Sequence, residues 1–524
     1  MKRLTRRNFI RIGAAASASA ALGGSARALG ARPRRGRVVI VGAGLAGLAT
    51  AYELLKLGTR TEIVILEAQD RVGGRVLTVR SHMNQGAVPF ADGQYLEAGA
   101  HRIPETHDRT LAYASEVGLG GKVIEFSKAL GRGEKGASLY LINGERFLFD
   151  EAAGWPATLG MTEAERTTPF FPQDIEYEYR WVTGPKPPKG TNHLGNPAIP
   201  FCQPANWPYG DGDRAALDEW NAYTVAEFLG SRGASPGWQR LYAAENGTEV
   251  LSTTALAWLI QSALDWDWGT TYYIDGGLDQ LPRALADSVA GRGVALQLNS
   301  QVRRIEQTPM GATVTYRDPI GTIRTMSADR VVCTLPFPVM RDKVDLTAAG
   351  LPSDKLHWIR TLQMMPVTRI SLQVTKRFWK DEGVEGLKIA GTDTAIERIW
   401  HSSNLQPGDS GIMQAYLQHE NALNASPPSD KLTWMRDEVG QRLFPQVTGG
   451  WNGLGMAKLW HEDEWAGGGW VSPKADQFLA GFHLWGRPEG RIHFAGDTTS
   501  LLAGWMQGGI ESGQRAACEV AAVL

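Results

Sequence analysis

Two unbroken apolar runs, 38–41 and 63–66, bracket an amphipathic stretch, and that order predicts strand, helix, strand. Runs this short without polar alternation suit strands buried on both faces of a parallel sheet. Further on, 76–80 resembles a short strand and 105–118 a helix. Residues 165–217 are rich in Pro, Gly, Trp and Tyr, which disfavours regular elements. A loop of that length usually serves as a lid, an entrance wall or an oligomer contact. Helical patterns resume over 214–265. The run Tyr272-Tyr273-Ile274-Asp275-Gly276-Gly277-Leu278-Asp279-Gln280-Leu281-Pro282 then precedes a helix. Alternation predicts strands at 295–298 and 301–305, and a hairpin at 312–317 and 323–326. A buried strand at 330–335 is stopped by Pro336. Alternation returns at 367–375, strands and helices fill 395–460, and 491–497 precedes a helix from about Gly504. No internal repeat is evident.

The turn after the first apolar run is Gly42-x-Gly44-x-x-Gly47. Gly42 allows the sharp strand-to-helix turn, Gly44 lets backbone approach a pyrophosphate, and Gly47 lets helix and strand pack closely. The first helical residues, Leu45 and Ala46, present free N–H groups at the positive end of the helix dipole. Glu67 ends the second strand, where a carboxylate can accept hydrogen bonds from ribose hydroxyls. A glycine turn alone is weak evidence; with strand, helix, strand and acid in order it predicts a dinucleotide site. Ala68-Gln69-Asp70-Arg71-Val72-Gly73-Gly74-Arg75 follows at once. Ala68 and Gly74 offer backbone to the cofactor, and Arg75 can pair with pyrophosphate oxygens.

This extension resembles the E-A-x-x-R-x-G-G-R fingerprint of the flavin amine oxidase family. Three blocks carry the resemblance: 38–75, 272–336 and 491–517. Within the family the chain is most similar to the FAD-dependent L-amino acid oxidases. The resemblance implies an α/β fold, with a Rossmann-like FAD-binding domain and a mixed α+β substrate domain. The FAD domain would be discontinuous, built from 36–100, 272–345 and 480–524. Residues 101–271 and 346–479 would form the substrate-binding and helical or lid regions.

The resemblance also assigns roles. Gly99-Ala100-His101-Arg102-Ile103-Pro104 matches a signature whose Arg holds a substrate carboxylate above the flavin. Gly99, Ala100, His101 and Arg102 would line the cofactor. A planar guanidinium gives a carboxylate two parallel bonds, which suits Arg102 to that task. Asp497, in Phe494-Ala495-Gly496-Asp497, would meet the ribityl and pyrophosphate region. Gly504 and Trp505 would touch flavin and substrate, with Met506 beside the flavin pyrimidine ring. Val302 would serve the adenine side, Trp460 the flavin rim, and Trp400 a substrate wall. No cysteine lies between 491 and 517, so FAD is expected to be non-covalent. Arg369 departs from the pattern: the family usually has a Lys there, linked to the reaction of reduced flavin with oxygen. It is the catalytic candidate and the point of doubt about oxygen, and an acidic substrate is another use for it.

The activity implied is oxidative deamination of an L-amino acid by hydride transfer to flavin N5. The products would be a 2-oxo acid, ammonia and hydrogen peroxide, with molecular oxygen as acceptor. No side-chain base is required, and His101 and His107 are candidates for pH tuning alone. One alternative is an oxidase or dehydrogenase of amines without a carboxylate. Another is a flavin-binding assembly protein with little turnover.

Bulk properties narrow the picture. The 524 residues are 43% hydrophobic and 21% charged, which fits a folded protein with more than one core. Net charge is −1, and six basic groups lie within residues 1–28, so the remainder is acidic and implies no nucleic-acid face. Three cysteines at scattered positions suggest neither a metal site nor a disulfide framework. Some of the 18 tryptophans are expected to line a site. Thr5-Arg6-Arg7-Asn8-Phe9-Ile10-Arg11 resembles a twin-arginine signal, followed by an Ala-rich stretch and Ala26-Arg27-Ala28 as cleavage site. Residues 1–28 would then be a leader read by the Tat export machinery, and the mature protein, starting near Leu29, periplasmic or secreted. No membrane span is expected, and a homodimer is possible on the resemblance.

Overall fold

In the computed structural model the two opening apolar runs become neighbours in one parallel sheet, Arg37–Val41 and Glu62–Leu66. The structure describes residues 36–80, 90–91, 93–127, 138–149, 154–168, 214–265, 270–384, 388–403, 406–419 and 427–524. The proposed signal segment, residues 1–28, and most of the 165–217 segment lie outside the described residues. The sheet runs Ala295–Gln297, Glu62–Leu66, Arg37–Val41, Arg330–Cys333, Ile492–Phe494, with every pair parallel. Both faces are covered, so Val38, Val39, Ile40, Val331 and Val332 are fully buried. This satisfies the rule that parallel strands need protection on both sides.

Helix Leu45–Lys56 packs along helix Met506–Ala521. The contact is close because glycine permits it: a β-carbon on Gly513 would strike the Ala46 carbonyl oxygen. Thr50 Oγ1 donates to the Gly513 carbonyl at 3.2 Å and ties the pair. The first turns of the two helices meet, since a β-carbon on Gly509 would sit 3.6 Å from Leu45 Cβ.

The predicted hairpin is antiparallel, Gly311–Arg317 with Ile323–Ala328, and Gln301–Thr308 joins it as a third strand. A larger sheet of seven strands runs Trp451–Leu459, Thr368–Val374, Gly411–Leu417, Arg398–His401, Lys388–Thr392, Leu139–Ile142, Glu145–Leu148. All its pairings are antiparallel except Lys388–Thr392 with Leu139–Ile142. Every residue of Thr368–Val374 is buried. Its alternation therefore separates an apolar face from a polar but equally buried one, rather than core from solvent. Ile370, Leu372, Met413, Ala415 and Ile399 pack against Met435 and Val439 of helix Pro428–Arg442. The opposite face carries Arg369, Ser371, Gln414, Tyr416, Arg398 and Trp400.

Helices Arg214–Ala222, Val225–Ser231, Pro236–Asn246 and Ala255–Asp265 fill the predicted helical stretch. Trp155, Trp238, Trp379 and Trp485 are core residues, almost fully buried. The described residues from Gly36 onward form one compact unit. Among the described residues no helix is long and apolar enough to cross a membrane. One expectation is corrected. Cys333 is free and buried, but Cys518 is disulfide-bonded. Disulfide pairing follows proximity in the fold, which spacing along a chain does not reveal.

Candidate active site

The three glycines of the first turn do three different things. Gly42 adopts φ 103°, a conformation other residues rarely take, and its N–H donates to the Leu66 carbonyl at 2.8 Å. A β-carbon on Gly47 would run into the Gly42 carbonyl oxygen. Around Gly44, by contrast, a β-carbon would meet no chain atom within 4 Å. The backbone there faces open space, at the start of a helix with no side-chain cap. Leu45 and Ala46 supply the first helical N–H groups. Two helix starts side by side, neither capped by a side chain, suit an anion. Gly74, with φ 56°, brings a second stretch of backbone against Gly44, and Ala68 opens the loop that leads to it. These features fit the pyrophosphate of a dinucleotide.

Glu67 is buried, and burial pushes its carboxyl pKa up, against the pull of backbone donors. Its Oε2 accepts from Ala43 N–H at 2.7 Å and its Oε1 from Gln69 N–H at 2.8 Å. The carboxylate thus braces the glycine turn, with lone pairs left for hydroxyl donors. Its carbonyl accepts from Ser300 N–H at 2.7 Å, which draws the strand bearing buried Val302 alongside.

Arg75 has partners within the chain. Its guanidinium forms a bidentate pair with Asp497 and also donates to the Gly469 carbonyl. Asp497 further accepts from Gly504 N–H at 2.9 Å. One ion pair therefore couples the first block to the last, and positions the chain entering Trp505 and Met506. Gly99 lies so close to the Arg75 carbonyl that no β-carbon would fit, and Ala100 N–H donates to that oxygen at 3.1 Å. Trp460 is buried and donates its indole N–H to the Ala98 carbonyl at 2.7 Å.

Arg102 emerges from this loop between two indoles. Its guanidinium carbon lies 5.4 Å from the Trp400 ring centroid and 5.5 Å from that of Trp505. Contacts of this kind help to hold a guanidinium in one orientation. His107 meets Trp505 edge-on at 5.0 Å, and His101 meets Trp400 likewise at 5.9 Å. Burial, with Arg369 and Arg102 nearby, holds His101 well below the usual imidazole pKa, so it stays neutral. His101 is therefore no pH switch near neutrality.

Arg369 is 7% exposed. Its Nη1 donates to the Glu97 carbonyl at 3.1 Å and to Gln414 Oε1 at 3.2 Å, and its guanidinium stacks 4.5 Å from the Tyr416 ring centroid. Burial draws its pKa below the usual arginine value.

Tyr416, Gln414, Arg398 and Glu97 were not among the site residues expected from the sequence. Strand register brings the first three to the wall: Arg369, Tyr416 and Arg398 are direct cross-strand neighbours. Glu97 is fully enclosed, and burial pushes its carboxyl up to about 7. It accepts from Leu278 N–H at 2.8 Å, the Tyr273 hydroxyl at 2.7 Å and the Thr78 hydroxyl at 3.0 Å. An acid inside an otherwise apolar strand was the available signal. Among the described residues no group of three or more His, Cys, Asp and Glu side chains is arranged to hold a metal.

Comparison with known proteins agrees with this geometry. A family model described as flavin containing amine oxidoreductase matches residues 45–521. A flavin-dependent L-tryptophan oxidase of Lentzea aerocolonigenes is 26% identical over 511 residues, covering 91% of this chain and 96% of that protein. An L-amino-acid oxidase of Pseudechis australis is 28% identical over 502 residues, covering 92% and 86%. Among solved structures, wild-type putrescine oxidase bound to putrescine superposes with a TM-score of 0.71 at 20% identity, over 93% of this chain and 99% of that one. Cyclohexylamine oxidase from Brevibacterium oxydans IH-35A gives 0.69 at 20% identity, with the same coverage. The Rossmann-like parallel sheet, the mixed second sheet and the matched span together show that this chain belongs to the flavin-containing amine oxidoreductases.

Proposed function

We propose that the chain catalyses oxidative deamination of an L-amino acid with non-covalently bound FAD. The carrying observation is Arg102, a guanidinium fixed between Trp400 and Trp505 where the Gly99–Arg102 loop meets the polar face of the seven-stranded sheet. A guanidinium at this place suits a substrate that carries a carboxylate better than a simple amine. The flavin, when bound, supplies the acceptor for the hydride leaving Cα.

The chain's own residues orient and enclose. Gly44, Leu45, Ala46 and Gly74 hold the pyrophosphate through backbone, Glu67 and Val302 serve the adenosine end, and the Arg75–Asp497 pair locks the loop before Trp505. We assign these tasks to segments 36–100, 272–345 and 480–524, and the substrate wall to 101–271 and 346–479. Arg102 takes the α-carboxylate in two parallel bonds, and the flanking indoles exclude water and fix the direction of Cα–H. The substrate amine reacts in its neutral form, so no side chain need act as base. The resulting imino acid hydrolyses to a 2-oxo acid and ammonia, and oxygen takes the electrons to give hydrogen peroxide. Export by the twin-arginine route, as a folded flavoprotein, suits the disulfide at Cys518, because such bonds persist outside the cytosol.

The test is anaerobic mixing of the holoenzyme with a panel of L-amino acids and their decarboxylated analogues. Flavin bleaching by amino acids alone supports the reading. Equal bleaching by an amino acid and its amine contradicts it, and bleaching by neither leaves a binding protein.

A further inference from the structure

We infer that the Arg369–Tyr416–Arg398 stack is an anion-recognition wall, and that the preferred substrates are L-amino acids with a second carboxylate on the side chain. The inference rests on the α-carboxylate role proposed for Arg102.

Three adjacent strands place these residues in one row on the polar sheet face. The guanidinium carbons of Arg369 and Arg398 lie 4.5 and 4.7 Å from the same Tyr416 ring centroid. Arg398 is 5% exposed and Arg369 7%, whereas Tyr416 is half-buried and is the accessible member. Two buried like charges beside one ring repel each other, and each charge is costly to desolvate without a counter-ion.

The acceptors present are few. Arg369 Nη1 uses a carbonyl and an amide oxygen and its guanidinium also bonds the Tyr416 side chain, while Arg398 Nη1 reaches the Glu245 carbonyl at 3.4 Å. Among the described residues, Arg369 Nε, Arg398 Nε and Arg398 Nη2 are buried with no hydrogen-bond acceptor. The one carboxylate that pairs with the wall, Glu397, is shared with other partners, and the rest are engaged elsewhere. Glu397, 4.0 Å from Arg398 Nη2, accepts from Gln418 N–H at 2.9 Å and pairs with His419 at 2.7 Å. Glu245 holds Lys388 and the Tyr140 hydroxyl, and Asp463 holds Lys458. Glu97 offers the wall its carbonyl, its carboxyl being taken by Leu278, Tyr273 and Thr78. The wall therefore keeps a positive surplus that an incoming anion would balance.

The spacing suits a short diacid. Arg398 and Trp400 are two residues apart on one strand, about 7 Å, and share its face. Arg102 in turn lies beside Trp400, its guanidinium carbon 5.4 Å from the ring centroid. Guanidinium groups at neighbouring positions of one wall can grip the two carboxylates of a four- or five-carbon amino acid.

The experiment compares L-glutamate and L-aspartate with their neutral isosteres L-glutamine and L-asparagine in anaerobic flavin reduction by the wild-type holoenzyme. The acidic member of each pair is expected to have at least a roughly tenfold higher kcat/KM, and Arg398→Met to bring that ratio towards one, with Arg398→Lys retaining part of it. Binding without turnover gives a second readout: glutarate should perturb the flavin absorbance at roughly tenfold lower concentration than butyrate. Preference for the amide or for apolar amino acids, or an unchanged ratio in Arg398→Met, overturns the inference and leaves the amino-acid reading intact. Reduction by simple amines and by no amino acid removes both. Should Arg398→Met fail to fold, the wild-type ratios and the glutarate titration decide.

Discussion

The two sheets put chemistry to use in opposite ways. The parallel sheet presents backbone: glycines that turn, clear space or admit close packing, and uncapped helix N–H groups. The seven-stranded sheet presents side chains, and its working row is assembled from residues 369, 398 and 416 on separate strands. Backbone function demands particular residue types at fixed local spacing. Side-chain function demands register between strands far apart in sequence. The first leaves a signature in the chain, and the second leaves very little.

The sharpest way to break that comparison is to add one methyl group at two nearby positions. Gly47→Ala drives a β-carbon into the Gly42 carbonyl, and we expect a loss above about 4 kcal/mol and no recoverable flavoprotein. Gly44→Ala meets no chain atom and keeps an ordinary φ of −70°, so the fold should survive while flavin retention drops at least roughly tenfold. Circular dichroism and the flavin-to-protein absorbance ratio read the two outcomes. Normal flavin content in Gly44→Ala would contradict the backbone-cradle account.

Next in size is Arg102→Met. Losing a charge-assisted bidentate contact should lower kcat/KM for amino acids by about a thousandfold, near 4 kcal/mol, with little effect on any residual oxidation of simple amines. A uniform loss on both classes would mean that Arg102 supports structure rather than the carboxylate.

The same contrast explains what could be read from the sequence. The glycine turn, Glu67, the Gly73-Gly74-Arg75 extension and the Phe494–Asp497 block carry their meaning within short windows. Arg102 and Trp505 were legible because they adjoin such windows. Arg398 and Tyr416 each look like an ordinary residue of a strand, and only register joins them to Arg369. Alternation at 367–375 marked a strand, but not that its polar face is buried. Arg75 pairs with Asp497, a contact between distant parts of the chain that no local pattern records. The disulfide at Cys518 was missed for the same reason.

Two smaller effects sharpen the account. Arg369→Lys puts a compact ammonium where a wide guanidinium stood, with room for a water. Reoxidation of reduced flavin by oxygen should speed up several-fold in stopped flow; an unchanged rate would remove Arg369 from the oxygen step. Glu97→Gln tests the enclosed carboxyl that accepts from Thr78, Tyr273 and Leu278. With its folded pKa raised to about 7, Glu97 stabilises the fold most at acid pH, and that contribution fades as pH rises from about 4.5 through 7. The variant should therefore gain stability relative to wild type between pH 5 and pH 8, by about 3 kcal/mol at most. Thermal melts across that range measure it, and parallel melting curves for the two proteins would show that Glu97 does not titrate there.

The most direct measurement is the anaerobic rate of flavin reduction by one amino acid and by its decarboxylated analogue, in wild type and in Arg102→Met. Fast bleaching by the amino acid in wild type alone, and slow bleaching in the other three mixtures, is the predicted result. An amine that bleaches wild-type flavin as fast as its parent amino acid would contradict the carboxylate clamp on which the functional reading stands.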